Sequence, residues 1–107
     1  SMLYTCAEGY KVGQARGHQM HPTEAFYAIT AGNAKSLGLA DEIGQLQQGY
    51  SADLVVLNPT KPQGLAERYA ICEDLTDALF AFMMLSDDRS IERCYIAGKL
   101  AYSASAQ

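Results

Sequence analysis

Eight consecutive residues, Ala78 to Leu85 (ALFAFMML), carry no polar side chain. With Asp74 as an N-cap and Asp77 three residues later in a capping-box-like position, the run predicts a helix over about residues 74–86. A helix that is apolar around its whole circumference cannot be hidden by one neighbour and wants cover on several sides. Phe80, Phe82, Met83 and Met84 therefore read as core, shared in part with a segment outside this chain; a ligand or partner surface is the alternative.

Upstream, Met2 to about Arg16 reads as a helix with Leu3, Cys6, Ala7 and Tyr10 on one side. Gly9, Gly13 and Gly17 recur every four residues, a spacing that would suggest paired membrane helices in an apolar span; Glu8, Lys11 and Arg16 exclude such a span. Each glycine costs up to ~1 kcal/mol against alanine. A helix that poor is expected to persist by packing on something else. A second helix starts at Pro22, whose missing N–H costs nothing in a first turn, and Glu24 suits the positive end of the helix dipole. Ala25, Phe26, Ile29, Asn33 and Leu37 follow at three- and four-residue steps, and Gly38 supplies a left-handed C-cap. Between these helices, GHQMHP forms a short connection.

From Ile43 the period changes. Gly44, Gly49 and the polar run between them suggest a turn between short extended pieces. Leu54 to Leu57 (LVVL) is a strand without polar alternation, a pattern expected of burial on both faces. Asp53 before it reads as a turn residue whose carboxylate accepts nearby backbone N–H groups. After a loop from Pro59 to Gly64, Leu65 to Tyr69 can form a short helix. Ile91 to Tyr102 reads as a hairpin turning near Gly98, followed by a frayed SASAQ tail.

The bulk composition places the chain among globular domains and excludes some partners. At 107 residues there is room for one domain, burying roughly 60–70% of its unfolded surface. A net charge of -4 with only scattered lysines and arginines argues against nucleic acid and acidic membranes. No run approaches the ~20 apolar residues of a membrane span, and no leader opens the chain. Cys6, Cys72 and Cys94 are odd in number, far apart and in no C-x-x-C pair, so reduced, mostly buried thiols in a cytoplasmic protein are expected. Ser1 is either a cloning scar or native.

Chemistry is sparse. His18 and His21, three residues apart with Glu24 nearby, could share a metal, but Gly17 and Pro22 put them in a connection, where a solvated surface loop is the alternative. Asp87-Asp88 could be a carboxylate pair; beside Arg89 at a helix C-terminus, a turn role is the alternative. There is no nucleophile elbow, phosphate-cradling loop or H-E-x-x-H.

Two segments carry a resemblance: EIGQLQQGYSADLVVLN, Glu42 to Asn58, and CYIAGKLAY, Cys94 to Tyr102. Together they resemble the closing β-segment of the metal-dependent amidohydrolases. The order of segments is similar to the guanine deaminases among them: SML before a helix with Tyr10-Lys11-Val12, then HPTEAFYAITAGNAKSLGLADEIG, then EDLTDALFAFMMLSDDRSIERCYIAGKLAY. The resemblance covers nearly the whole chain.

It implies a parent enzyme that pairs a (β/α)8 barrel with a small β-sandwich built from both chain termini. Its single zinc would be held by a His-x-His, two later histidines and an aspartate, and would lower the pKa of bound water so that hydroxide attacks C2 of guanine, giving xanthine and ammonia. None of those positions can be matched to a residue here, so no catalytic, substrate-binding or metal residue is assigned, and the chain alone is expected to be inactive. The implied fold is α+β: barrel-packing helices over residues 1–40, and the C-terminal half of the sandwich over 41–107 with one inserted helix at about 74–86. Zinc and the purine substrate would belong to the parent, whose catalytic barrel is the expected partner, and a homo-oligomer is expected of the isolated chain. Another amidohydrolase acting on a different purine, a pterin or a triazine, and a free-standing assembly module, are the alternatives.

Overall fold

The computed structural model describes residues 2–104. Within them the elements run α1 (Met2–Ala15), α2 (Pro22–Ala28), α3 (Ala31–Ser36), β1 (Leu54–Leu57), α4 (Gln63–Tyr69), α5 (Leu75–Leu85), a 3-10 turn (Asp88–Ser90), β2 (Ile91–Ile96) and β3 (Lys99–Ser103). The apolar run finds its cover: α1, α2 and α4 all pack against α5. Cys6, Ala25 and Met83 form one buried cluster, with Tyr10, Met20, Phe26, Ile29, Phe80 and Met84 around it. Leu65, Ala81 and Phe82 form a second, flanked by Phe26, Leu57 and Cys72. Burying a leucine or methionine side chain fully contributes about 1.5–3 kcal/mol, and Leu65 and Met83 are both sealed from solvent. Two edge-to-face ring pairs, Tyr10 with Phe80 at 5.5 Å and Tyr69 with Phe82 at 5.8 Å, join α1 and α4 to α5. The glycine-rich first helix is held by this packing, with Leu3 and Cys6 buried.

Several local expectations meet their physical cause. Asp74 caps α5, its carboxylate accepting the Asp77 N–H at 2.8 Å. Gly38 has φ +75° and ends the second helical region. The expected single helix from Pro22 to Leu37 is divided into α2 and α3 at Thr30, which has φ −123° and ψ −102°. Thr30 Oγ1 donates back to the Phe26 carbonyl at 2.6 Å, an alternative partner that competes with the helical ladder. Gly32 then lies under the Tyr27 ring, where a Cβ would stand 2.8 Å from Cε1.

The sheet is antiparallel with order β1-β2-β3. Leu54 pairs with Tyr95 and Val55 with Cys94, and Tyr95 pairs in turn with Leu100. The LVVL strand is not buried on both faces: among the described residues β1 is an edge, paired only to β2, and Val55 is 54% exposed. Residues 43–45 bend and 48–49 turn, as Gly44 and Gly49 lead one to expect, with φ values of +98° and +91°; ahead of them residues 40–42 form a turn and not an extended piece. Leu57 packs the sheet onto the second helical cluster. Ser90, fully buried, locks the junction: its Oγ donates to the Lys61 carbonyl at 2.6 Å and its own carbonyl accepts the Asn58 N–H at 2.7 Å. α4 begins at Gln63, two residues before the expected start, so Gly64 is helical. Of the tail expected to fray, Ser103 belongs to β3. Residues 105–107 and the question of Ser1 lie outside the described residues.

Candidate functional site

The two histidines come together with Glu24, and what joins them is a helix cap. His21 is the N-cap of α2: its Nδ1 accepts the Thr23 N–H at 3.2 Å, and Glu24 Oε1 accepts the His21 N–H at 3.3 Å. His18 Nε2 stands 3.5 Å from Glu24 Oε2, and both side chains are more than half exposed. Pro22 and Glu24 occupy the first turn in the roles read from the sequence, while the capping by His21 was not foreseen.

Asp53 is a turn residue, as read. One of its oxygens, Oδ1, accepts the Ala97 N–H at 2.7 Å and the Ser51 hydroxyl at 3.0 Å. Asp87 and Arg89 also make a turn: the Asp87 carboxylate caps the 3-10 segment through the Arg89 N–H and takes the guanidinium at 2.6 Å. These hydrogen bonds from Arg89 hold the Asp87 carboxyl below the usual carboxylate range and push the guanidinium up. Around this turn lies an open depression lined by Tyr4, Ser86, Asp87, Asp88 and Arg89.

A comparable clasp joins the start of α5 to α4. Arg68 Nη2 donates to Asp77 Oδ1 at 2.6 Å, lowering the Asp77 carboxyl and raising Arg68. Its Nη1 reaches Cys72 Sγ at 3.4 Å. Asp77 therefore spends its carboxylate on Arg68 and on the Glu73 N–H at 3.4 Å, outside the N-cap itself. A general acid or base works best with a pKa near the operating pH. Asp77 and Asp87 are both drawn away from it, which suits structural roles.

The cysteines are free thiols, with Cys6 buried and its pKa raised by desolvation. Among the described residues, no three His, Cys, Asp or Glu side chains converge to hold a metal ion. The donor set present here does not fit a catalytic zinc, which needs three protein ligands and an open position. No helix among the described residues is long and apolar enough to cross a membrane.

The chain is similar to known proteins in both sequence and fold. Residues 2–101 match the model of the amidohydrolase family. The guanine deaminase of Escherichia coli (strain K12) is 48% identical over 102 residues, covering 95% of this chain and 23% of its own length. The solved structure of E. coli guanine deaminase superposes with a TM-score of 0.94, over 96% of this chain and 24% of that one. The crystal structure of guanine deaminase from Bradyrhizobium japonicum does so with a TM-score of 0.78 at 26% identity, covering 96% of this chain and 28% of that one. The chain thus spans about a quarter of the length of these relatives.

Proposed function

The chain belongs to the amidohydrolase family, and we propose that it is the non-catalytic C-terminal portion of a zinc-dependent guanine deaminase, a cytoplasmic enzyme of purine catabolism. The parent reaction is hydrolytic: water replaces the exocyclic amine of guanine, leaving xanthine and ammonia. The observation that carries this reading is the likeness to E. coli guanine deaminase, in sequence and in backbone, over nearly the whole chain. The side chains described above serve caps, turns and packing.

In this reading residues 1–40 pack on a (β/α)8 barrel supplied by the rest of the polypeptide, and residues 41–107 complete a β-sandwich, with α5 inserted. The exposed faces agree with such cover. Val55, Ile96 and Leu100 on the sheet are each more than half exposed, and so are Ile71 and Leu75 at the α4–α5 corner.

The experiment is an ammonia-release assay on the full-length polypeptide, offered guanine, a pterin and a triazine in parallel. Release from guanine alone supports the assignment. Release only from a pterin or triazine moves the substrate within the family, and release from none favours an assembly module.

A further inference from the structure

One face of the sheet is apolar and left open among the described residues. Val55 lies opposite Cys94 and Cys94 opposite Tyr102, so a single row of side chains crosses all three strands. Ile96, next but one along β2, continues that face. Val55 and Ile96 are more than half exposed, and Tyr102 is 39% exposed. β1 carries no charged side chain to guard its outer edge, which pairs with no strand among the described residues. Domains are built from packed layers, and a sheet with an apolar face is stable under a second one.

Resting on the function proposed above, we infer that this face is a docking surface for the rest of the full-length polypeptide, an apolar layer that it binds without a peptide bond between the two. The chain shares the backbone of the E. coli enzyme while spanning about a quarter of its length, so most of such a polypeptide lies outside it. The face therefore has its final shape before the remainder is present, and a surface ordered in advance loses little freedom on binding. It does not lean on the remainder for its own fold. Leu65 and Met83 are sealed inside the helical clusters, and every buried side-chain nitrogen and oxygen among the described residues has a hydrogen-bond partner. The remainder is favoured over a second copy because the face keeps the backbone of a whole enzyme, a shape matched to that remainder and not to itself.

The test uses the full-length polypeptide with a specific protease site ahead of residue 1, cut after folding, so that no piece has to fold alone. Gel filtration at roughly micromolar concentration should find both pieces in the peak of the uncut protein. That holds for the wild type and for Leu46→Lys, a site 82% exposed outside the sheet. With Val55→Lys and Ile96→Lys together, the chain should elute apart from the remainder. A second reading needs no variant: iodoacetamide should label Cys94, at the centre of the row, about tenfold more slowly in the cut complex than in the dilute chain alone. Separation of the wild-type pieces, equal retention in the double variant, or equal labelling of Cys94 would overturn the inference. So would release of the chain as a homodimer, which assigns the face to a second copy. Guanine turnover by the uncut protein is read alongside. Its absence with the pieces still joined removes the substrate assignment and leaves the docking; turnover with separated pieces does the reverse.

Discussion

Asp53 accepts the backbone N–H of Ala97 at 2.7 Å, although 44 positions separate them in sequence. Beside it, the Ala52 carbonyl accepts the Gly98 N–H at 3.0 Å. These two bonds tie the β2–β3 turn to the approach of β1, so the hairpin and the edge strand are fixed at one end as well as along the ladder. Asp53→Ala is expected to cost about 1 kcal/mol, a typical net value for an exposed hydrogen bond to a charged group. Asp53→Asn, which keeps an acceptor oxygen, should cost less. Urea unfolding midpoints measure both, and an unchanged midpoint for Asp53→Ala would remove the tether from the account.

The turn itself predicts two substitutions of opposite sign. Ala97 and Gly98 have φ values of +51° and +78°, the primed geometry that matches the twist of a two-residue hairpin. Alanine carries a left-handed penalty of roughly 1–2 kcal/mol, part of which glycine would return through its greater chain entropy. Ala97→Gly should therefore raise the thermal midpoint modestly and Gly98→Ala should lower it. A Cβ at Gly98 would meet only the Ala52 Cβ, at an ordinary 3.9 Å, so the loss would come from the backbone and not from crowding. Midpoints that move in the same direction would contradict this reading of the turn.

Acid should weaken the α4–α5 clasp. The hydrogen bond from Arg68 depresses the Asp77 carboxyl, and the Glu73 N–H adds to it. A depressed folded-state pKa means stability that is present above the ordinary carboxylate range and is lost as pH falls through the lower, folded value. Asp87, depressed by Arg89, contributes in the same direction. Stability of the wild type should thus be flat in these terms near neutrality and decline below about pH 4. Asp77→Asn should be less stable at neutral pH and show a shallower acid decline; a curve parallel to that of the wild type down to pH 2 would count against the clasp.

Much of this fold can be read from the residues that made it. The all-round apolarity of Ala78–Leu85 demanded cover, and α5 has it on three sides. Gly98 marked the hairpin, and Asp53, Asp74 and the Asp87–Arg89 pair took the turn and cap roles their chemistry suggested. What escaped was decided by contacts at a distance or by unusual partners. The break at Thr30 depends on its hydroxyl returning to Phe26 and on Tyr27 lying over Gly32, neither visible as a period. LVVL looks doubly buried because its composition matches a strand covered on both faces, and nothing in the described residues covers Val55. Capping by His21 was missed because imidazole is not among the usual caps, and Ser90 because a lone serine carries no signal of burial. For the site, the family resemblance said more than any spacing of acids and histidines.

Exposed apolar surface predicts association of the isolated chain. Val55, Ile96 and Leu100 on the sheet and Ile71 and Leu75 at the α4–α5 corner are open, and one edge of β1 pairs with no other strand among the described residues. Such edges and patches invite pairing with a second copy. Light scattering at high protein concentration is expected to report a dimer or larger species. A strict monomer would refute that expectation.

The most direct measurement is xanthine formation from guanine by this 107-residue chain with zinc added, run beside the full-length polypeptide. The proposed function predicts turnover by the full-length protein and none by the chain at any zinc concentration. Zinc-dependent xanthine formation by the chain alone would contradict it.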